Sequence, residues 1–370
     1  MFSAAEQQAV VDGLTELYRG FDVNFTLTQP SGDFTRIVYD GSGLGGIAVT
    51  GIDFRNTASN DLGFVGTSGL QSESSARQVN YAINVGGHEL GHTLGLRHHD
   101  SFGAIGNGVP GNGLDGPFFP DYPGPTTANE FFGNTMSTPA FGGSFERFFT
   151  SPTSLSERSL VKLGYAAQDD NLQVETSSFN NTIASAQAVP LDFIDVLNTL
   201  PAGTSAGDTG DPYLPSRAGA VLGSLSSPAD VDVYSIDVNA GDFLSVEVIS
   251  LSIDQRVADT IDGAITIFDA AGNALDYYGE DAFNEDEIET FDAWIFDLII
   301  PADGTYFVEV DSNFANNTGD YEVFFSSYGT GRIAGDANGD GTVDLADFLI
   351  LRSNFNGDGL FSSGDFNGDQ

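Results

Sequence analysis

One short segment holds the residues best suited to chemistry, in the pattern His-Glu-x-x-His-x-x-Gly-x-x-His. Its first two histidines, His88 and His92, lie four positions apart and so share one face of a helix, where both imidazoles can bind one metal ion. Glu89 follows the first histidine, where its carboxylate can reach a water on that metal. Gly95 tolerates a positive φ, so the helix can end there and the chain can turn back to bring in His98.

Three nitrogen ligands leave one position open, which is the pattern of a catalytic zinc; a structural zinc is closed by four protein ligands. All four histidines of the chain lie in this segment. The alternative is a helix whose histidines are ordinary surface or core residues. It explains neither their clustering nor the glycine between the second and third ligands. His99 follows the third ligand, and we expect it to lie around the site rather than bind the metal.

The extended motif resembles that of the metzincin clan of zinc endopeptidases. That clan also has a tight turn downstream, whose methionine lies under the metal. Asn134-Thr135-Met136-Ser137 fits this turn, and Met136 is the only methionine besides Met1. The alternative interpretation of Met136 is a lone buried core residue. Thr138 stands where some metzincins have a tyrosine that approaches the zinc, so the resemblance does not extend to that residue.

The resemblance implies a secreted zinc-dependent endopeptidase acting on protein or peptide substrates. Zinc would polarise the scissile carbonyl and lower the pKa of its water toward about 7, and Glu89 would move the proton to the leaving amine. Two alternatives remain open. One is an extracellular binding or scaffold protein with a vestigial zinc site, which the intact Glu89 disfavours. The other is a metal-dependent hydrolase acting on something other than peptides.

Composition limits the possible partners of this 370-residue chain, which is 40% hydrophobic and has a net charge of −41. Such a charge repels nucleic acid and anionic membranes, so we expect neither as a partner, and it attracts divalent cations. There is no cysteine, which excludes disulfides. The sequence contains no run of 18 apolar residues, so it predicts no membrane span. No signal peptide is visible, so an exported protein would need an export signal upstream of this sequence.

The pattern as a whole predicts a multidomain protein whose residues 1–167 form an α+β, metzincin-like catalytic domain. Apolar periodicity predicts a helix over residues 3–19 and a zinc helix that begins near Ser74 or Ser75. Alternating and β-rich segments predict strands over 22–28, 36–39, 47–50 and 61–65. Ser154 and Glu157 predict a capped final helix that ends at Gly164. In metzincins, an edge strand beside the zinc takes up the substrate as an additional strand.

Residues 168–330 are predicted to form a linker and an all-β sandwich, because short alternating segments are separated by turn residues. Four such segments are 231–236, 244–248, 264–268 and 306–310. Four segments resemble, in this order, the bacterial pre-peptidase C-terminal domain: Asn180-Asn181-Thr182-Ile183-Ala184-Ser185-Ala186, Asp230-Val231-Asp232-Val233-Tyr234, Ala240-Gly241-Asp242 and Asp303-Gly304-Thr305-Tyr306. That module follows the catalytic domain of many secreted peptidases.

Residues 331–370 predict a small α-helical tail built on a calcium loop. Oxygen ligands recur at the positions that such a loop requires, with Gly341 at its sixth position: Asp336, Asn338, Asp340, the carbonyl of Thr342, and Asp347. With Asp at the twelfth position, the loop resembles a type I dockerin repeat, which implies a cohesin-like or cell-surface partner. A second repeat starts at Asp365 but is incomplete. The alternative is an acidic disordered tail.

Overall fold

The computed structural model divides the chain into two compact units. Residues 1–103 and 130–167 belong to the first unit, and residues 104–129, 168–197 and 208–370 to the second. The structure describes residues 2–21, 23–41, 43–49, 60–102, 105–109, 122–128, 133–137, 146–167, 172–176, 180–194, 216–250, 259–285, 292–313, 317–329, 343, 345, 348, 349 and 352.

The first unit combines helices with one small mixed sheet. Its elements are α1 (Ala4–Leu17), β1 (Arg36–Asp40), β2 (Leu44–Ala48), β3 (Leu62–Thr67), α2 (Ser75–Thr93), α3 (Arg147–Thr150) and α4 (Glu157–Ala166). Short 3-10 helices lie at Leu70–Ser72 and His98–Ser101. At the start of α1, Ser3 and Glu6 form a reciprocal capping box, which satisfies amide groups that a helix N-terminus leaves without partners.

The sheet has the order β1-β3-β2, so β2 lies at one edge of it. β1 runs parallel to β3, and β2 runs antiparallel to β3. Helix α2 approaches both the sheet and α1 closely at two glycines. A Cβ on Gly86 would lie 2.2 Å from the Tyr39 hydroxyl of β1, and one on Gly87 would lie 2.5 Å from Leu17 of α1. These contacts explain the paired glycines in the middle of α2.

Two local predictions for this unit were wrong. Residues 23–28 do not form a strand. There, Leu27 is 59% exposed and the Thr28 amide donates to the Thr26 hydroxyl, a local bond that competes with strand pairing. The final helix α4 is capped by Ser156 rather than Ser154, and it continues past Gly164 to Ala166.

The second unit contains two large sheets that pack face to face around one apolar core, and a small two-stranded sheet. Its strands are β4 (Gln173–Val174), β5 (Gln187–Ala188), β6 (Asp192–Phe193), β7 (Ser216–Leu225), β8 (Asp232–Val238), β9 (Phe243–Ile249), β10 (Gly263–Phe268), β11 (Asp276–Tyr277), β12 (Glu280–Asp281), β13 (Phe283–Asn284), β14 (Trp294–Ile299), β15 (Gly304–Ser312) and β16 (Gly319–Tyr328). The small sheet consists of β11 and β12. One large sheet has the order β13-β10-β15-β8-β5, and the other β14-β9-β16-β7-β4 with β6 beside β7. Their inward side chains form a single buried cluster, so this unit is a β-sandwich.

The described residues 105–109 and 122–128, which we expected in the first domain, group instead with this sandwich. The Gly106 amide donates to the Asp297 carboxylate at 2.8 Å, and the Tyr122 ring packs edge-on against Tyr277 at 6.0 Å. These contacts join positions well over a hundred residues apart, which spacing along the chain does not reveal.

Two further sequence predictions concern the calcium loop of the tail and a membrane span. The predicted calcium loop lies outside the described residues, except for the exposed Val343 and Leu345. Among the described helices, none is long and apolar enough to cross a bilayer.

Candidate metal centre

Helix α2 ends in a cap that reverses the chain toward the third histidine. The Leu96 amide donates to the Gly91 carbonyl at 2.9 Å, and the Gly95 amide donates to the His92 carbonyl at 3.0 Å. This pair of bonds is the Schellman arrangement. Gly95 has a φ of +88°, which strains any residue with a Cβ. The glycine of the motif therefore ends the helix and returns the chain to His98, as its position predicted.

The imidazoles of His88, His92 and His98 converge on one point. Nε2 of His88 lies 3.1 Å from Nε2 of His92 and 3.3 Å from Nε2 of His98. Tetrahedral zinc with Zn–N bonds of about 2.0–2.1 Å separates two nitrogen ligands by about 3.3 Å. Among the described residues, this is the one group of three or more potential ligand side chains close enough to share a metal. The donor set and its spacing therefore fit a zinc ion.

Two of these rings are oriented by backbone carbonyls. Nδ1 of His88 lies 2.8 Å from the Thr135 carbonyl, and Nδ1 of His92 lies 2.8 Å from the Leu96 carbonyl. A carbonyl only accepts hydrogen bonds, so Nδ1 carries the proton and Nε2 keeps the lone pair that a metal needs. Burial, and then the neighbouring His92 and His98, lower the pKa of His88 well below its usual value. His88 is therefore neutral at pH 7, the form that binds metals.

The predicted methionine turn packs against the same helix. The Ser137 amide donates to the Asn134 carbonyl at 3.2 Å, which closes the turn, and the Asn134 side chain donates to the Ser101 carbonyl at 3.0 Å. Met136 is 1% exposed, and a Cβ on Gly91 would lie 2.5 Å from its sulfur. The methionine thus lies directly against the helix between the two helical histidines. The Thr135 carbonyl of the same turn is the one that orients His88.

Asn84, one turn before His88, joins this helix to the chain segment that supports the turn. Its Nδ2 donates to the carbonyls of Phe148 at 2.9 Å and Ser151 at 2.7 Å. Its Oδ1 accepts from the Thr153 amide at 3.0 Å and the Thr153 hydroxyl at 3.1 Å. The Thr153 hydroxyl in turn accepts from Thr135 at 3.0 Å. A continuous set of buried hydrogen bonds therefore runs from Asn84 to the turn that orients the first ligand.

A buried ion pair braces the loop that carries the third histidine. The Asp100 carboxylate accepts from the Arg97 amide at 2.7 Å and from Lys162 of α4 at 3.0 Å. The side chains of Asp100 and Lys162 are 0% and 3% exposed. Because Arg97 and Asp100 bracket His98, the pair ties that loop to α4. Sequence reasoning missed Asn84, Asp100 and Lys162. The one signal for Asn84 and Lys162 is a polar residue among apolar neighbours, and Asp100, which follows polar residues, gives no such signal.

Glu89, the residue after His88, contacts the edge strand β2. It is 4% exposed, and a Cβ on Gly46 would lie 2.2 Å from its Oε1 atom. Burial raises the pKa of Glu89 to about 8, against the opposing effect of a hydrogen bond from the Ala48 amide. At neutral to mildly basic pH both forms of such a carboxyl are populated, so it can accept a proton and return it.

The other predicted site residues have different outcomes. His99 is fully buried, with its ring edge-on to Phe102 at 5.5 Å, and it is not part of the histidine cluster. The predicted calcium ligands lie outside the described residues, so that site stays a prediction: Asp336, Asn338, Asp340, Thr342 and Asp347.

Comparison with protein families identifies one module of this chain. The model described as bacterial pre-peptidase C-terminal domain matches residues 230–312, which contain strands β8 to β15 of the sandwich. The protein therefore has several domains, one of which is a pre-peptidase C-terminal domain with a β-sandwich fold. This agrees with the resemblance found in the sequence of that region.

Individual relatives cover only parts of the chain. A probable subtilase-type serine protease of Deinococcus radiodurans is 34% identical over 88 residues, which are 24% of this chain and 11% of the relative. The chain thus spans about a tenth of that relative's length. The pre-peptidase C-terminal domain of a Bacillus anthracis collagenase has 15% identity and a TM-score of 0.23, covering 38% of this chain and 93% of that one. PliG, a periplasmic inhibitor of g-type lysozyme from Aeromonas hydrophila, has 14% identity and a TM-score of 0.20, covering 42% and 98%.

Proposed function

We propose that this chain is a secreted zinc-dependent endopeptidase of the metzincin type. The observation that carries the proposal is the convergence of three histidine Nε2 atoms, two of them with their Nδ1 atoms held by carbonyls. His88, His92 and His98 would hold the zinc ion. Three neutral nitrogen donors with a fourth position open are the ligand set of a catalytic zinc.

A bound zinc ion supplies Lewis acidity, which polarises a carbonyl and lowers the pKa of water toward about 7. Glu89 takes the proton of the attacking water and passes it to the amine nitrogen that leaves. Its buried position beside Gly46 and its bond from the Ala48 amide hold the carboxyl in place for both transfers. Met136 supports the helix from the other side and takes no part in proton transfer.

The edge strand β2 is suited to bind an extended substrate. The Ser68 amide donates to the Gly43 carbonyl at 3.0 Å, and the Val49 amide donates to the Leu62 carbonyl at 2.7 Å. Hydrogen-bonded pairs repeat every second residue, so the backbone groups of residues 44, 46 and 48 point away from β3. Within the described part of the chain no strand pairs with that edge. A peptide can therefore add there as a fourth strand at residues 44 and 46, with Glu89 beside it on the Ala48 amide.

The serine-protease chemistry in the description of the Deinococcus relative suits this chain less well. A Ser-His-Asp triad needs a histidine as general base beside the serine. His99 is the only histidine outside the cluster, and it is fully buried against Phe102. The pre-peptidase C-terminal domain, which typically occurs in secreted proteases, supports a peptidase in general and does not distinguish the two mechanisms.

The calcium loop from Asp336 to Asp347 remains part of the proposal as a dockerin-like tail. It would bind Ca²⁺ and attach the enzyme to a cohesin-like or cell-surface partner. Calcium titration of the full chain, followed by calorimetry, tests this independently of peptidase activity.

The central test is Glu89→Ala in the full chain. We expect zinc bound in a ratio of about one per chain, as in the wild type, with turnover of a casein substrate reduced about a thousandfold. Glu16→Gln is the matched control, because Glu16 is an exposed residue of α1, with a side chain 71% exposed. We expect it to change neither quantity.

Two results would reject the proposal. One is a Glu89→Ala variant whose turnover stays within about tenfold of the wild type. The other is wild-type protein that binds no zinc when zinc is supplied in excess. Loss of activity with a zinc chelator, and its return when zinc is added, would support the proposal.

A further inference from the structure

The hydroxyl of Tyr81 lies inside the hydrogen-bond ladder between β2 and β3. It accepts from the Gly45 amide at 2.6 Å and donates to the Gly66 carbonyl at 2.9 Å. Gly45 and Gly66 are cross-strand partners at a position where the ladder pattern calls for a direct amide-to-carbonyl bond. A side chain of the metal-binding helix α2 therefore occupies the place of one ladder bond.

The strand backbone adapts to this inserted hydroxyl. Gly45 has a φ of +113°, a conformation open to glycine and strained for residues with a Cβ. The next residue, Gly46, passes so close to Glu89 that a Cβ would lie 2.2 Å from the carboxylate. The path that β2 takes at Gly45, where it bonds to Tyr81, thus determines how its next residue, Gly46, passes Glu89.

Helix α2 holds β2 at two separate points. Tyr81 bonds to Gly45 near the start of the strand, and Glu89 accepts from the Ala48 amide at its end. Tyr81 and Glu89 are eight residues apart, or about 12 Å along the helix axis. This spans most of β2, so the two contacts together fix the strand that faces the open edge.

We propose that Tyr81 is a positioning residue, whose hydroxyl sets the path of the edge strand past Glu89 and thereby determines how tightly an extended peptide binds. This inference rests on the proposed endopeptidase function. It predicts an effect on peptide binding and on the dynamics of β2. It predicts no effect on zinc content, since the histidines are held by other contacts.

The Tyr81 ring also has a packing role, which the test must keep intact. The ring is fully buried and stacks on Phe149 at a centroid distance of 4.9 Å. Tyr81→Phe preserves this contact and removes only the hydroxyl. Tyr18→Phe is the matched control, since Tyr18 is equally buried and its hydroxyl donates to the Gly87 carbonyl of α2 at 2.7 Å, not to the edge strand.

The experiment compares both variants in the full-length protein. We expect about one zinc per chain in each. Hydrogen exchange of residues 43–49 should be about tenfold faster in Tyr81→Phe and unchanged in Tyr18→Phe. In a Glu89→Gln background, which keeps an oxygen for the Ala48 amide and does not consume the ligand, a fluorescent casein-derived peptide should bind about tenfold more weakly with Tyr81→Phe added, and with unchanged affinity with Tyr18→Phe added. KM should rise more than kcat falls.

The outcomes separate this inference from the proposed function. Equal exchange of residues 43–49 in both variants would overturn the role of Tyr81 even if the wild type cleaves peptides. A wild type without peptidase activity would overturn the proposed function, while the exchange result still decides whether Tyr81 positions β2. If Tyr81→Phe does not fold, exchange of the Gly45 amide in the wild type tests the bond itself. We expect this amide to exchange slowly, because the Tyr81 hydroxyl holds its proton, and exchange as fast as that of an exposed, unbonded amide would overturn the inference.

Discussion

Asn84 offers the sharpest test of how the candidate metal centre is supported. Its side chain is fully buried and makes four hydrogen bonds, three of them to backbone groups of the segment 148–153. Asn84→Ala leaves those three groups without their partner. A buried polar group left without its bond costs about 1–3 kcal/mol, so the change should destabilise this segment by about 4 kcal/mol.

The loss should appear as local opening rather than complete unfolding. Residues 148–154 support the turn whose Thr135 carbonyl orients His88, through Thr153. A destabilisation of about 4 kcal/mol corresponds to about 10³-fold faster hydrogen exchange wherever exchange follows local opening. We therefore expect Asn84→Ala to accelerate exchange in residues 133–137 and 148–154 by that factor. Because residues that orient a ligand affect metal binding, zinc affinity should fall by about 10–100-fold.

Asn80→Ala is the matched control on the same helix. Asn80 lies one turn earlier, is half-buried, and makes one long bond of 3.3 Å to the Phe149 carbonyl. We expect it to accelerate exchange in residues 148–154 by no more than about tenfold. Similar acceleration in both variants would refute the argument that the four bonds of Asn84 hold this segment.

Two further predictions concern a glycine and a buried carboxyl. Gly46→Ala should displace the Glu89 carboxylate, because its Cβ would lie 2.2 Å from Oε1. We expect kcat to fall at least about tenfold with zinc content unchanged, and an unaltered kcat contradicts this. Burial raises the pKa of Asp232 from 3.8 to about 7. Between these values the folded sandwich retains a proton that the unfolded chain releases. The free energy of unfolding therefore falls as pH rises from about 4 to about 7. Asp232→Asn should flatten this decline in melts followed by Trp294, the only tryptophan, and an unchanged slope contradicts it.

Helices and strands of the chain were predictable where the spacing of nearby residues determines them. The strands over 36–39 and 61–65 appear as β1 and β3 with extended ends, and α2 begins at Ser75 as its pattern indicated. The strand predicted over 22–28 failed because alternation alone does not provide a partner strand. Alternation in the sandwich succeeded because every such segment there pairs with another across the sheet.

The support of the candidate site was not predictable in the same way. Asn84 and Thr153 are 69 residues apart, and Tyr81 and Gly45 are 36 apart. Neither pair has a characteristic spacing, since each depends on how whole elements pack. The placement of residues 105–109 and 122–128 with the sandwich has the same origin, because their contacts are with strands far along the chain rather than with their neighbours in sequence.

The sequence by itself determined which side chains converge on the candidate metal site, because four-residue spacing and a glycine that takes positive φ act within one helix turn and its cap. It also determined the alternating strands of the sandwich. Only the tertiary structure decided that Glu89 faces the edge strand, that Tyr81 enters its ladder, and that Asn84 braces the turn behind His88. Helical and strand periods describe one element at a time, whereas these contacts arise only when separate elements pack and bury their polar groups together.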